Sequence, residues 1–160
     1  MTTTIDIERI YNAAPERIWD LWTTAAGIES WWAPDGFEVR VDELDLRPGG
    51  ELRYVMTATG PDQVAFMNSV GLPLSTSSRK YFTAIENEAL LAYDTVVDFV
   101  PGRAEYRHRT TVTLTPFSSG TRVVMTIEPM HDDEWTERIV AGRGNELDNL
   151  GVALSSDGRV

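Results

Sequence analysis

Residues 13–34 read AAPERIWDLWTTAAGIESWWAP and hold four of the chain's five tryptophans. Ala14-Pro15-Glu16 opens a helix, with proline in the first turn, where its missing N–H costs nothing. Ile18, Leu21, Trp22 and Ala25 follow the i, i+3, i+4, i+7 spacing of one apolar helix face. Gly27 ends that helix, and Ile28 to Trp32 supply one more turn before Pro34. A helix face this aromatic needs a large apolar partner, and the flanking sequence provides a sheet.

Upstream, Ile5, Ile7, Arg9 and Tyr11 alternate with Asp6, Glu8 and Ile10, the pattern of a half-buried strand. Downstream, Phe37, Val39 and Val41 alternate with charged residues. Asp45 to Gly50 is a dense turn signal. Leu52, Tyr54 and Met56 then predict the second arm of a hairpin. Strand patterns return from Arg79, with Tyr81, Thr83 and Ile85 on one face. Leu91, Tyr93, Thr95, Val97 and Phe99 follow, then Tyr106 to Thr115 and Thr121 to Glu128. Each has an apolar and a more polar face, the antiparallel signature. After Pro129-Met130-His131 the chain turns helical, with Trp135, Ile139, Leu147, Leu150 and Leu154 as its stripe. Acidic residues 132–134 sit where the helix dipole favours them.

The order predicts an α+β fold. A curved antiparallel sheet wraps around a long C-terminal helix, with two short helices after the first strand. Residues 1–160 form one domain. A bent sheet leaves a gap against a straight helix, and Gly142 and Gly144 are expected to widen it. Residues 60–78 interrupt the strand pattern. Gly60-Pro61 and Gly71 bound a short helix there carrying Phe66 and Met67, read as an insertion: a lid, a cover over the sheet edge, or a homodimer contact.

Composition narrows the function. Net charge is −11, from 25 acidic against 14 basic residues. The only basic cluster, GRAEYRHR at 102–109, is interrupted by Glu105, so no nucleic-acid partner is expected. With no cysteine, thiolate metal sites and disulfides are excluded. MTTTIDIERI lacks a basic segment followed by an apolar run, and the longest uncharged stretch, 63–78, is broken by Asn, Gly, Pro and Ser. Neither a signal peptide nor a membrane span is expected, and the location expected is cytoplasmic. His108 and His131 have no metal-ligand spacing, Asp132-Asp133-Glu134 is not a complete calcium loop, and no GxSxG elbow occurs. No metal or cofactor is expected.

The motifs together resemble one family. Ala14-Pro15-Glu16-Arg17-Ile18-Trp19, Trp31-Trp32-Ala33-Pro34, Leu46-Arg47-Pro48-Gly49-Gly50, Gly120-Thr121-Arg122 and Met130-His131-Asp132 to Trp135 occur in the order and spacing of the START-like helix-grip (SRPBCC) superfamily. The branch they resemble is named after the activator of heat shock protein 90 ATPase. The resemblance implies a helix-grip fold with an internal hydrophobic cavity. Members include lipid and polyketide binders, cyclases, hydrolases, co-chaperone domains and proteins that sequester toxic natural products. Where relatives often carry a large aromatic, this chain has Arg143, which implies a more polar cavity edge.

Candidate ligand-binding residues come from the strands, the helix break before Pro34, the insertion and the last helix, Arg143 being placed at the cavity edge by the resemblance. On the helices after the first strand they are Trp31 and Trp32, placed near the mouth of the pocket. The strands add Tyr54, Met56, Tyr81, Tyr93, His108 and Met125. The insertion adds Phe66 and Met67, and the last helix adds Trp135, Ile139, Gly142, Arg143 and Glu146. Aromatic rings with polar tips suit an aromatic ligand. His108, Tyr106 and Glu146 are the candidates for acid–base chemistry, His108 also being readable as a hydrogen-bonded rim residue and Glu146 as a solvent-facing one. The expected function is binding of a small hydrophobic or aromatic molecule in the cavity. The alternatives are a cofactor-independent enzyme of cyclase, dehydratase or hydrolase type, and a chaperone-interaction module.

Overall fold

The structure is a computed structural model that describes residues 3–156. Seven strands form one antiparallel sheet: β1 (Ile5–Tyr11), β2 (Phe37–Leu44), β3 (Glu51–Ala58), β4 (Ser75–Glu86), β5 (Leu90–Val97), β6 (Tyr106–Phe117) and β7 (Gly120–Ile127). Consecutive strands from β2 to β7 are neighbours, and β1 joins the far edge beside β7, giving the order β1-β7-β6-β5-β4-β3-β2. Helices α1 (Pro15–Thr23) and α2 (Ala25–Trp31) follow β1. Helix α3 (Pro61–Ser69) lies between β3 and β4, and α4 (Asp133–Ser156) closes the chain. This is the helix-grip α+β architecture, with the sheet's inner face turned toward α4.

The tryptophan segment breaks earlier than its periodicity predicts. Thr24 adopts an extended conformation (φ −122°, ψ 150°), so α1 stops at Thr23 and α2 starts at Ala25. The Thr24 Oγ1 then accepts the Gly27 N–H at 3.0 Å, a side-chain N-cap for α2. Gly27 therefore lies in the first turn of α2 rather than at the end of α1. A Cβ on it would stand 2.5 Å from the Asp20 carbonyl oxygen, so glycine lets the two helices meet.

All four tryptophans of this segment are buried. Trp22 meets Trp31 edge-on at 5.0 Å, and Trp31 lies 5.1 Å from Trp32. The Trp31 Nε1–H donates to the Leu21 carbonyl at 2.7 Å, which ties α2 back onto α1. The core continues into Leu91, Val112, Leu114, Val123, Met125 and Ile127 on the sheet and Leu147 and Leu150 on α4. The Tyr11 hydroxyl donates to the Leu147 carbonyl at 2.6 Å and joins the edge strand to α4.

Two other elements depart from expectation. β4 begins at Ser75, four residues before Arg79, because Ser75 to Tyr81 pair with β3 in unbroken register from Thr57 to Glu51. A β-bulge between Phe82 and Ala84 then shifts the pairing with β5. The extra residue reverses strand parity. Ile85 faces the core as its pattern suggests, but so do Lys80 and Phe82, while Tyr81 is turned outward beneath the Arg107 guanidinium at 4.2 Å. The second departure is Gly142. It lies on the exposed side of α4, and a Cβ there would meet nothing within 4 Å, so it does not widen the gap to the sheet. Helix α3 buries none of its side chains, and Phe66 on it is 61% exposed. No helix among the described residues is long and apolar enough to cross a membrane.

Trp22 carries the largest fully buried side chain. Trp22→Ala is expected to lower stability by about 3–5 kcal/mol, read as a lower urea midpoint at constant m-value. A loss below about 1 kcal/mol would remove the tryptophan cluster from its anchoring role.

Candidate functional site

The inner face of the sheet is apolar toward β7 and β1 and polar across the middle strands. Lys80 on β4 pairs with Thr95 on β5, Thr95 pairs with His108 on β6, and Tyr93 pairs with Thr110. Residues opposite one another on neighbouring strands point to the same face. This register therefore lays Lys80, Thr95 and His108 in a row, with Tyr93 and Thr110 one step along. Helix α4 covers the row with Arg143, and Glu146 follows one turn later on the same helix face.

Two cations are buried here, Lys80 at 2% exposure and Arg143 at 5%. Lys80 has no ion pair among the described residues. Its Nζ donates to the Tyr54 hydroxyl at 3.1 Å and lies 5.2, 5.6 and 5.8 Å from the ring centres of Tyr54, Tyr93 and Trp32. A desolvated ammonium gains about 2 kcal/mol from such a ring face. Arg143 Nη1 donates to Glu146 Oε2 at 2.9 Å and Nη2 to Thr110 Oγ1 at 3.4 Å. Its guanidinium carbon lies 6.0 Å from the Tyr93 ring centre.

The neutral groups are held neutral. Burial pushes the Tyr93 hydroxyl well above the ordinary tyrosine range, so it stays a donor. Burial also lowers the His108 imidazole below its ordinary 6.5, and nearby Arg143 and Lys80 add to the effect. His108 Nε2 is 2.5 Å from the Glu128 carbonyl oxygen. A carbonyl only accepts, so Nε2 carries the hydrogen and Nδ1 is left with a lone pair. That Nδ1 has no hydrogen-bond partner. The same holds for Tyr93 Oη, Thr95 Oγ1, Arg143 Nε and Glu146 Oε1, all buried.

His108 also forms part of the wall of a surface groove of about 510 Å³, together with Tyr106, Arg103, Glu128, Met130 and His131. Tyr106 Oη is 2.7 Å from His131 Nδ1, and the His131 ring lies 5.8 Å from Trp135, which in turn touches Phe99 at 5.9 Å. These four aromatics stand at one end of the sheet, and His108 is the residue common to the groove and the buried row.

The fold thus brings together Trp32, Tyr54, Tyr93, His108, Arg143 and Glu146 from the candidates. Trp31 and Trp32 are both buried. Trp31 packs inside the core, and Trp32 closes the inner end of the Lys80 cage, because α2 turns its indoles onto the sheet. Met125 belongs to the apolar core, while Met56 and Ile139 are half-buried against it. Trp135 stands beside the groove residue His131. Met67 is half-buried on α3, while Phe66, Tyr81 and Gly142 face outward for the reasons given above. Tyr106 pairs with His131 rather than His108, and Glu146 pairs with Arg143, so the three acid–base candidates do not form one constellation. The sequence pattern does not single out Lys80, Thr95 and Thr110 as site residues. Thr95 and Thr110 carry only the inward parity of their strands, and Lys80 is hidden by the bulge. No group of three His, Cys, Asp or Glu among the described residues is placed to hold a metal ion.

A seven-stranded curved antiparallel sheet closed by a C-terminal helix, with two short helices between its first two strands, defines a START-like helix-grip protein. Within that class the chain belongs to the family described as Activator of Hsp90 ATPase homolog 1-like protein, matched over residues 12–155. Solved structures share the fold. The AHSA1-like protein of Aeromonas hydrophila is 21% identical, covers 98% of this chain and 94% of its own, and superposes with a TM-score of 0.76. The AHSA1 protein of Silicibacter pomeroyi is 18% identical over 97% of this chain and 99% of its own, with a TM-score of 0.74. A protein of Chromobacterium violaceum is 22% identical over 93% and 94%, with a TM-score of 0.72. No curated protein matches the sequence.

A buried neutral histidine makes stability depend on pH. With the folded pKa below the unfolded one, the unfolded chain binds more protons in between, so stability is full above 6.5 and falls as pH drops toward the folded value. Relative to His108→Gln, the wild type is expected to lose up to about 1.4 kcal/mol per pH unit across that window. Urea unfolding at pH 8 and pH 5 measures it. Parallel losses in the two proteins would show that His108 is not the responsible group.

Proposed function

We propose that this protein binds a small, largely aromatic or hydrophobic molecule between the inner face of the sheet and α4. The observation that carries this reading is the set of unpartnered buried polar atoms at Tyr93, Thr95, His108, Arg143 and Glu146. Leaving one such group unsatisfied costs about 1–3 kcal/mol, and five in one region is a large cost for a structural core. A ligand with an aromatic body and a few polar atoms would satisfy them while stacking on Tyr93, Tyr54 and Trp32. The groove beside Tyr106 and His131 is the approach, and His108 belongs to both the groove and the row. Entry would displace side chains at that boundary, a population shift favoured by the ligand's own contacts. Binding is favoured over catalysis because Tyr106 is engaged by His131 and Glu146 by Arg143, which leaves no converging acid and base.

Native mass spectrometry of freshly purified protein, followed by tryptophan quenching against a panel of aromatic and acyl compounds, tests this. One ligand per chain is expected, with quenching that largely disappears in Trp32→Phe. Silence across the panel, with no retained adduct, would overturn the proposal.

A further inference from the structure

We infer that the buried row selects a ligand bearing one negative charge, an aromatic carboxylate or an equivalent organic acid, whose acid group is held by Lys80 and Arg143. This inference rests on the binding reading above and adds the charge of the ligand. Its first ground is charge. Lys80 and Arg143 bring two positive charges into the interior, and Glu146 is the single carboxylate paired with either, which leaves a net of +1. Other carboxylates near the row are engaged outside it. Glu128 accepts the Arg109 backbone N–H, and Asp94 pairs with the Arg109 side chain at 2.9 Å. A buried charge without a counter-ion is costly, and ring faces compensate it only in part.

The second ground is the count of donors. An ammonium has three N–H donors, and Lys80 directs one to Tyr54. Arg143 spends Nη1 on Glu146 and Nη2 on Thr110, while Nε–H has no acceptor. The Tyr93 hydroxyl, kept protonated by burial, and the Thr95 hydroxyl are also unpartnered. The groups that can only donate have two N–H to spare on Lys80 and one on Arg143, whereas only His108 Nδ1 and Glu146 Oε1 can accept and not donate; the Tyr93 and Thr95 hydroxyls serve in either role. A carboxylate supplies two acceptor oxygens and the missing charge together. Both cations lie against the Tyr93 ring, at 5.6 and 6.0 Å, so the same ring that orients the acid group offers a face to the aromatic body. An inorganic anion, without an aromatic body to stack, is expected to bind weakly.

The test compares 2-naphthoate with 2-naphthamide, nearly equal in shape and different in charge, by tryptophan quenching of the wild-type protein. The acid is expected to bind at least roughly tenfold more tightly, as a charge-assisted contact exceeds a neutral one by about that factor. Lys80→Met and Arg143→Met, checked for folding by circular dichroism, are expected to weaken naphthoate by about tenfold or more and to leave naphthamide little changed. Equal binding of the two compounds, or variants that weaken both alike, would overturn the charge selection and leave the binding reading standing. If neither compound binds, the charge selection falls together with the aromatic-ligand reading. The wild-type comparison needs no variant and decides the matter if either substitution fails to fold.

Discussion

The Trp32 indole is the contact on which the rest of this structure depends. On one side it packs against Trp31 and Trp22, which hold α1 and α2 together. On the other it lies 5.9 Å from Tyr54 and 6.4 Å from Tyr93, on β3 and β5. One ring therefore couples the two short helices to the middle of the sheet. It also forms one wall around the Lys80 ammonium. Aromatic rings suit this joint because each supplies a large apolar area and a negative face. An aliphatic residue in place of Trp32 would fill the space and leave the lysine without that face.

The interior is divided as a result. Toward β7 and β1 the inner face is Val123, Met125 and Ile127 against Leu147 and Leu150, an ordinary dry core whose burial supplies the bulk of the stability. Across β4 to β6 it is a row of charged and hydroxyl groups that would weaken a purely structural core. Removing such groups in favour of well-packed apolar ones is often neutral or stabilising. Their presence beneath α4, next to a groove that shares His108, is the physical basis for the proposal that a ligand binds at this end of the fold.

Much of the fold was legible because its signals are local. Strand alternation, the Asp45 to Gly50 turn, Pro15 at the start of α1 and the stripe of α4 each act within a few residues. The position of Tyr93 and His108 on the inner face followed from the same alternation. The placement of Lys80 did not, since one extra residue between Phe82 and Ala84 reverses parity and leaves no compositional mark. The break at Thr24 is invisible in the sequence pattern for a related reason. The i, i+3, i+4, i+7 spacing runs through it, and only the capping bond to Gly27 shows that two helices meet there.

By itself, the sequence determined the order of elements, the antiparallel sheet, the long closing helix and the family to which they belong. It also determined the acidic character of the chain and the lack of thiol chemistry. The tertiary structure alone decided which charges are buried, that Arg143 pairs with Glu146, and that Tyr106 turns to His131 instead of His108. The reason lies in the range of the interactions. Periodicity and turn chemistry are written in neighbouring residues, whereas the environment of a side chain depends on register, on a bulge set by pairing with the next strand and on the rotation of a helix packed from the far end of the chain.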